Sequence, residues 1–350
     1  MSLALLLGSV NAGCVNFRPP PKPLSPRVAG NAPAPVWTAK AGRRLAGNVE
    51  VQDNMLYAGG MDRKVYAVDL SNGDVRWSSR LSGMIVGGVL LVGDTLFVAS
   101  SRPDGRVQAL ARSNGKRIWR VAVDPIGAPL AMVEGLLIAQ TQRGNVMGLD
   151  PGTGKILWHH RLGTARAPAT AAGNGAVLVS TTDSLFLVSV ADGKVTHQAR
   201  SPGTVLGSWL PFRGSLVAGT ADSQVVSIDP GDLRQNWILP ADAPILDTPA
   251  TAGDTLFFAT RTGSVYRVDP TPELKIKRIA RLEWPITAPV TISGAQILLG
   301  GADGMIRGLK FDGTEVWRVQ VWRPVEVSPV LLADGIIAIG GNGDLHRYKR

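Results

Sequence analysis

Few residues of this 350-residue chain have the types and spacing that catalysis or metal binding requires. Two of the four histidines, His159 and His160, are adjacent on a predicted strand, so they point to opposite faces and cannot share a metal ion. Cys14 is the only cysteine, which excludes a disulfide within one chain and a zinc site built on several cysteines. The histidines and the cysteine therefore predict no catalytic centre and no metal site.

Aspartates recur at one position of a repeated segment, where a carboxylate could act as a general base. Recurrence in several copies favours the capping of a turn instead, because a catalytic base is needed only once. No segment has the pattern of a phosphate-binding glycine loop, an HExxH zinc motif, an EF-hand loop or a nucleophile elbow. We therefore expect a protein that is not an enzyme, with no catalytic residue and no cofactor. The recurrent aspartates are Asp69, Asp150, Asp229 and Asp269.

The repeated segment is about 40 residues long and occurs eight times. Successive copies are 42, 39, 39, 40, 40, 41 and 39 residues apart. This period, with short alternating strands and turns rich in Gly, Asn and Asp, predicts an all-β, eight-bladed β-propeller with four antiparallel strands in each blade. The equivalent apolar positions are Val65, Val107, Val146, Leu185, Val225, Val265, Ile306 and Leu345.

Each copy divides into four strands, called A to D from the central channel outward. In the third copy we place strand A at 129–133, B at 135–140, C at 145–150 and D at 156–160. Proline is tolerated at the first residue of an edge strand, so recurrent prolines are expected to open strand A. These prolines are Pro129, Pro168, Pro249, Pro289 and Pro329, and Trp209 takes the same place in the fifth copy.

Tryptophans occur at a fixed position in strand D, where a large ring can pack against the next blade. We therefore expect a structural role for Trp37, Trp77, Trp119, Trp158, Trp237 and Trp317. His197 and Lys277 occupy this position in the fourth and sixth copies, and His197 is interpreted as a substituted packing residue.

The chain ends in a strand C that has no strand D after it. The missing strand lies near the N-terminus, at 35–40, where Trp37 stands in the strand-D position. Pairing of this strand with the last strand C closes the ring and removes an open sheet edge. We assign residues 35–350 to the propeller.

Residues 1–13 form a short apolar run, which is typical of a secretion signal and too short to span a bilayer. No Lys or Arg precedes the run, so a misassigned start codon would leave this signal truncated. Ala12, Gly13 and Cys14 resemble the end of a bacterial lipobox, which implies lipidation of Cys14. Residues 14–34, with many prolines and no acidic residue after Arg18, are expected to tether the propeller to the membrane.

The repeat that begins at Val65 reads Val-Tyr-Ala-Val-Asp-x-x-x-Gly-x-x-x-Trp and resembles the quinoprotein (PQQ) type of propeller repeat. A quinoprotein alcohol dehydrogenase would use pyrroloquinoline quinone, calcium and a disulfide of adjacent cysteines, a pair that this chain lacks. The eight copies, the lipobox, the tether and the ending Asp-Leu-His-Arg-Tyr from Asp344 resemble the BamB family instead. That resemblance implies an outer-membrane lipoprotein that faces the periplasm and acts as a scaffold in β-barrel protein assembly.

Members of the BamB family contact the POTRA domains of the barrel-forming subunit BamA through loops on one face. The segment 162–168 is similar to a stretch that carries part of this contact, with Leu162 and the pair Ala167-Pro168 matching. Gly163 stands where the family has Arg, and the acidic residues expected in the next blade are absent from 204–209.

Basic residues of the first three blades are expected on the face that carries the B–C and D–A loops. The net charge of +10 would thus be gathered partly into one arc, which favours an acidic protein surface or anionic lipid. A nucleic acid is not expected as the partner of an exported protein. A solvated surface without a partner is the alternative interpretation. The arc comprises Arg63, Lys64, Arg102, Arg106 and Arg143, with Arg43, Arg44 and Arg166 nearby, whereas Asp183, Asp222, Asp303 and Asp344 take the matching positions of later blades.

Trp284, Trp322 and Arg323 lie between strand D of one blade and strand A of the next, outside the packing position. Trp and Arg are typical anchors of protein interfaces, so these residues are candidates for partner contact. The alternative is that the two tryptophans plug the mouth of the channel.

The leading hypothesis is a lipid-anchored, non-enzymatic scaffold that binds protein partners through propeller loops. A quinone-dependent oxidoreductase is the first alternative, and binding of the quinone with calcium would reveal it. The second is a sensor that binds a small ligand or polysaccharide in the channel, which predicts protection against thermal unfolding by that ligand.

Overall fold

The structure is a computed structural model that describes residues 35–101, 105–271, 274–321 and 323–349. Across these ranges the chain forms 32 β-strands and no helix. The strands hydrogen-bond into eight four-stranded antiparallel sheets, arranged as the blades of one propeller. The predicted all-β, eight-bladed fold is confirmed, whereas the expected signal peptide, Cys14 and the tether lie outside the described residues.

The strands follow one another in the same order in every blade, from strand A at the channel to strand D at the outer rim. Blade 1 contains β2 (Glu50–Gln52), β3 (Met55–Gly59), β4 (Lys64–Asp69) and β5 (Val75–Arg80); blade 2 contains β6 (Val89–Val92), β7 (Thr95–Ser100), β8 (Arg106–Ala111) and β9 (Arg117–Ala122); blade 3 contains β10 (Ala131–Val133), β11 (Leu136–Gln140), β12 (Asn145–Leu149) and β13 (Ile156–Arg161); blade 4 contains β14 (Thr170–Gly173), β15 (Ala176–Ser180), β16 (Ser184–Ser189) and β17 (Val195–Arg200).

The second half of the ring repeats this order. Blade 5 contains β18 (Leu210–Phe212), β19 (Ser215–Gly219), β20 (Gln224–Ile228) and β21 (Gln235–Pro240); blade 6 contains β22 (Ala250–Ala252), β23 (Thr255–Ala259), β24 (Ser264–Asp269) and β25 (Lys275–Arg281); blade 7 contains β26 (Thr291–Ser293), β27 (Gln296–Gly300), β28 (Met305–Lys310) and β29 (Glu315–Gln320); blade 8 contains β30 (Val330–Leu332), β31 (Gly335–Ile339), β32 (Asp344–Lys349) and β1 (Pro35–Lys40).

Strand A is shorter than the sequence predicted, and the recurrent prolines lie outside it. In blade 3 the pairing begins at Ala131, opposite Ile138, so Pro129 precedes the strand by two residues. Proline has no N–H to donate to a ladder, and here it belongs to the loop that leads into the strand. The other four recurrent prolines also precede their strands, by one or two residues.

The ring closes as predicted, because β1 pairs antiparallel with β32. Trp37 lies opposite Arg347, and Lys40 lies opposite Asp344. The first described strand thus supplies strand D of the last blade, so that both ends of the described chain lie in one sheet.

The core consists of eight clusters of buried apolar side chains, one at each interface between neighbouring blades. Strands B and C supply most of these side chains because both of their faces are covered by other blades. The cluster that joins blades 8 and 1 includes Ile337, Leu345 and Leu56, so the closing interface is packed like the others. Stability is therefore distributed around the whole ring.

The strand-D tryptophans pack against the next blade, as expected. Trp77 Nε1 donates a hydrogen bond to the Arg112 carbonyl at 3.0 Å, and its ring covers Gly115. A Cβ at Gly115 would lie 2.5 Å from that ring, and the φ of +67° also favours glycine there. The same bond to the next blade is made by Trp37, Trp119 and Trp158.

His197 does not cover a glycine on the next blade. It is exposed, and the corresponding turn of blade 5 carries Leu233, which is 3% exposed and has a φ of +64°. Leu233 packs within the cluster between blades 4 and 5. An aliphatic side chain from the later blade therefore fills this interface, which agrees with a packing position that has been substituted.

The recurrent aspartates cap turns in three of four blades. Asp69 Oδ1 accepts a hydrogen bond from the Ser71 N–H at 2.8 Å, and Asp150 and Asp229 do the same for Thr153 and Gly231 at 2.7 Å. The side-chain bond from Ser71 is the largest cause that lowers the pKa of Asp69 to about 2. In blade 6, Asp269 Oδ1 instead accepts a hydrogen bond from Arg267 Nε at 2.6 Å.

Candidate protein-binding face

The B–C and D–A loops lie together on one side of the ring, here called face 1. In blade 1 the Leu81 N–H donates to the Arg63 carbonyl at 2.7 Å, and in blade 3 the Leu162 N–H donates to the Gly144 carbonyl at 2.9 Å. Each bond joins the first residue of a D–A loop to the B–C loop of the same blade. The remaining six blades repeat it from Ala41, Val123, Ser201, Ala241, Leu282 and Val321.

Arg166 projects from face 1 because of the residues on either side of it. Ala165 and Ala167 are buried at 1% and 0% exposure, so the side chain between them must point outward. Gln140 Nε2 donates to the Ala167 carbonyl at 3.0 Å and fixes this loop against blade 3. Arg166 is exposed and has no ion pair with any described residue.

Arg63 is the second exposed cation of face 1 without an ion pair among the described ranges. It occupies a turn position with a φ of +68°. The neighbouring Asp62 does not pair with it, because Asp62 Oδ2 accepts a hydrogen bond from the Tyr66 hydroxyl at 2.5 Å. Burial is the largest cause of the raised pKa of Tyr66, followed by this bond, so the hydroxyl remains a donor at physiological pH.

Other residues of the predicted basic arc are less available than the sequence suggested. Arg143 Nη1 lies 2.9 Å from Asp124 Oδ1, and Arg44 forms a bidentate pair with Glu326 at 2.8 and 3.0 Å. Lys64 and Arg106 are half-buried, whereas Arg43 is exposed. Arg102 lies outside the described residues.

The acidic residues predicted in later blades are also divided into paired and free groups. Asp303 and Arg307 form a buried ion pair, and Asp344 lies 3.7 Å from Lys40. Asp222 Oδ2 accepts a hydrogen bond from the Thr204 N–H at 2.8 Å but stays exposed. Asp183 is exposed and has no side-chain partner within the described part of the chain.

The candidate anchors occupy different environments. Leu162 is half-buried and packs against the cluster between blades 3 and 4, so only part of it is accessible to a partner. Trp284 is 37% exposed on the D–A loop that leads into blade 7, and Arg323 is exposed on the next such loop. Trp322 lies outside the described residues.

The central channel holds a cavity of about 440 Å³. The D–A loops and strands A of seven blades line it, and Trp284 is not among its lining residues. The ionisable residues of the lining are Glu50, Asp247 and Glu326. Burial raises the pKa of Asp247 to about 6 and also raises the pKa of Glu50.

This lining does not fit pyrroloquinoline quinone. The quinone carries carboxylate groups, which need basic side chains or metal ions as partners. The cavity presents three carboxyl groups and no Lys, Arg or His among its lining residues. Within the described ranges, no cluster of His, Cys, Asp and Glu has an arrangement that could hold a metal ion.

Sequence reasoning missed the ion pairs of face 1 because their partners are far apart in the chain. Arg44 and Glu326 are separated by 282 residues, and no local pattern indicates that they meet. The contacts between Trp77 and Gly115 and between Trp119 and Gly154 were also missed. Their recurrence at similar spacings was the available signal.

The described residues include no helix with the length and apolar character that crossing a membrane requires.

The fold and the loop face define an eight-bladed β-propeller with PQQ-type repeats. Residues 28–169 and 165–272 match the family described as outer membrane protein assembly factor BamB. The chain therefore belongs to the BamB family. The resemblance to the BamB family is confirmed.

Individual relatives agree with this assignment. The outer membrane protein assembly factor BamB of Escherichia coli is 23% identical over 290 residues, which covers 66% of this chain and 74% of that protein. The BamB of Pseudomonas aeruginosa is 33% identical over 196 residues, which covers 49% of this chain and 50% of that protein. The crystal structure of BamB from Moraxella catarrhalis superposes with a TM-score of 0.76 at 16% identity, covering 91% of this chain and all of that one, which shows the shared fold.

Proposed function

We propose that this protein is a non-enzymatic scaffold of the cell envelope that assists the assembly of outer-membrane β-barrel proteins by binding a protein partner. The family match over most of the propeller is the observation that carries the proposal. Relatives in Escherichia coli and Pseudomonas aeruginosa are named outer membrane protein assembly factors. The acidic lining of the channel, which does not suit the quinone, supports a scaffold over the oxidoreductase alternative.

The scaffold would be an outer-membrane lipoprotein that faces the periplasm, anchored through Cys14 after removal of residues 1–13. The direction of β1 supports this arrangement: Pro35 pairs with Tyr348 near the end of β32, and Lys40 leads directly into the first loop of face 1. β1 therefore begins on the side opposite face 1. A tether that enters the propeller there would leave face 1 open to a partner.

The partner would be a POTRA-containing subunit of the barrel assembly machinery, bound through face 1. Arg63 and Arg166 present exposed cations without described counterions, which favours an acidic patch on that subunit. Leu162, four residues before Arg166 on the same loop, adds a half-exposed apolar contact. An exposed charge changes the rate of association and its salt dependence more than the total affinity.

An affinity pull-down from detergent-solubilised envelopes tests this function. The tagged full-length protein is compared with a Cys14→Ala variant, and captured proteins are identified by mass spectrometry. We expect a POTRA-containing barrel subunit with the wild-type protein, and weaker envelope association of Cys14→Ala. Capture of no envelope protein in repeated experiments would refute the scaffold function.

A double charge-reversal variant tests whether the partner binds to face 1. We expect Arg63→Glu/Arg166→Glu to reduce capture of the barrel subunit severalfold. The control is Lys116→Glu/Lys155→Glu, which makes the same charge change at exposed lysines of C–D turns on the opposite face. Equal loss in both double variants would show that net charge, and not face 1, governs the capture.

A further inference from the structure

Charges on face 1 are separated into two halves of the ring. The described loops of face 1 up to residue 169 carry five basic and two acidic residues, whereas those from residue 181 onward carry two basic and seven acidic residues. The first group is Arg43, Arg44, Arg63, Arg143 and Arg166 with Asp62 and Asp124; the second is Arg261 and Arg323 with Asp183, Asp222, Asp242, Asp247, Glu283, Asp303 and Glu326.

We propose that part of the second half, here called the acidic arc, is a separate docking region that binds an arginine-bearing surface of the partner. The acidic arc comprises the loops 181–183, 220–223, 241–249 and 282–290. Its existence as a binding region follows from these loops alone. Its use by the same partner as Arg63 and Arg166 rests on the proposed function.

Ion pairs within the protein make several of these acidic residues unavailable to a partner. Asp303 is neutralised by Arg307, and Asp242 lies 3.4 Å from Arg281. Asp247 faces the central cavity. Asp183, Asp222 and Glu283 remain exposed, with no ion pair among the described residues. These three carboxylates are the charges that a partner would meet.

Glu283 and Trp284 give the acidic arc a preference for arginine. The two residues are consecutive and both are exposed, with Trp284 at 37%. An arginine guanidinium stacks on an indole face and forms a bidentate pair with a carboxylate, whereas a lysine ammonium acts as a compact point charge. An exposed carboxylate and an exposed indole on the same loop are thus suited to arginine.

The two halves meet at blade 4 and between blades 8 and 1. Arg166 lies on the D–A loop before the first strand of blade 4, and Asp183 lies on the B–C loop after its second strand, both on face 1. Arg44 pairs with Glu326 on the other side of the ring. A partner with a matching separation of charges would be held in one rotational setting, because rotation would place like charges together. The acidic arc would therefore supply orientation as well as affinity.

A labelled peptide provides a test that does not require the partner. The probe is a twelve-residue peptide of alternating Arg and Gly, with Lys and Glu versions as comparisons, added to the full-length protein at low ionic strength. Binding is followed by fluorescence anisotropy, and the site by hydrogen exchange. We expect the Arg peptide to bind more tightly than the Lys peptide and to protect 181–183 and 282–290.

Variants of the acidic arc test whether the Arg peptide binds there. Glu283→Lys and Trp284→Ala are each expected to weaken the Arg peptide by about fivefold to tenfold, equivalent to about 1 kcal/mol. The control Asp254→Lys makes the same charge change at an exposed residue of an A–B turn on the opposite face. Equal weakening by Asp254→Lys, or protection confined to the opposite face, would overturn the proposal.

The envelope pull-down separates this inference from the proposed function. If wild-type protein captures the barrel subunit and Glu283→Lys captures less, the same partner uses the acidic arc. If both capture equal amounts, the second contact is refuted and the scaffold function stands. If wild-type protein captures no envelope protein, the scaffold function fails, and the peptide experiment alone decides whether the acidic arc binds arginine.

Discussion

Trp37 and Arg347 donate hydrogen bonds to the same acceptor, the backbone carbonyl of Leu70. The Trp37 Nε1 bond is 3.0 Å long and the Arg347 Nη1 bond is 2.5 Å long. Trp37 and Arg347 lie opposite each other on β1 and β32, in the blade that both ends of the described chain build, whereas Leu70 belongs to blade 1. The closing strand is therefore held by the sheet of blade 8 and by a direct contact to blade 1.

Replacement of Trp37 tests this closure. Trp37→Ala removes a half-buried indole and one hydrogen bond, so we expect the free energy of unfolding to fall by about 2–4 kcal/mol. Trp284→Ala, at an exposed site, is the control and should change it by less than about 0.5 kcal/mol. Urea unfolding followed by circular dichroism measures both. Equal effects would mean that Trp37 does not stabilise the closed ring.

Gly115 tests the contact between a strand-D tryptophan and the next blade. Gly115→Ala should cost about 1 kcal/mol from its positive φ, and a further 1–3 kcal/mol because the new Cβ meets the Trp77 ring. Gly93→Ala is matched, since Gly93 has a φ of +57° and no atom within 4 Å of its added Cβ. The difference between their unfolding free energies isolates the packing effect. No difference would contradict the tight contact with Trp77.

Asp247 predicts a pH dependence of stability. Burial raises its pKa to about 6 in the folded protein from an ordinary value of 3.8, so the folded state binds the proton more tightly than the unfolded state. The ionised carboxylate of Asp247 therefore destabilises the folded protein most above pH 6. This destabilisation disappears as the pH falls to about 4, where the carboxyl group is protonated in the folded state. Asp247→Asn should raise the free energy of unfolding by about 1–2 kcal/mol at pH 7.5 and by nearly nothing at pH 4.

The difference between Asp247→Asn and wild type, measured by thermal unfolding from pH 4 to pH 8, isolates this carboxyl group from all others. A difference that is constant with pH would show that Asp247 does not titrate with a raised pKa.

Buried and exposed ion pairs should differ in their cost of removal. Arg307 is 6% exposed, and Arg307→Met would leave the buried carboxylate of Asp303 without its partner, at a cost of about 3 kcal/mol or more. Arg44→Met removes the exposed pair with Glu326 and should cost less than about 1 kcal/mol. Chemical denaturation measures both. A similar cost for the two variants would contradict the difference in burial.

The periodic positions allowed the fold to be predicted from sequence to the level of individual strands. The Val65 position is aliphatic in all eight copies and the Trp77 position is tryptophan in six, because neighbouring blades pack together in the same way around the ring. One copy therefore predicts the strands of the others. The exact start of strand A was wrong by one or two residues. A recurrent proline such as Pro129 is compatible with the end of a loop as well as with the first residue of a strand, so it did not define the boundary.

The candidate site was less predictable because its charges depend on contacts between distant parts of the chain. Arg44 and Arg63 have the same side chain and similar loop positions, yet Arg44 is paired with Glu326 and Arg63 is free of described ion pairs. The tertiary fold alone brings Glu326 to Arg44. Sequence could thus place the basic residues on face 1 but could not decide which of them are available to a partner.

The most direct test of the scaffold function is the dissociation constant for the periplasmic region of the barrel-forming subunit from the same organism, measured by calorimetry. Wild-type protein, Arg63→Glu/Arg166→Glu and the control Lys116→Glu/Lys155→Glu are compared at two salt concentrations. We expect saturable one-to-one binding that the face 1 variant weakens about tenfold and the control leaves unchanged. Absence of binding by the wild-type protein, or equal weakening in both variants, would contradict this expectation.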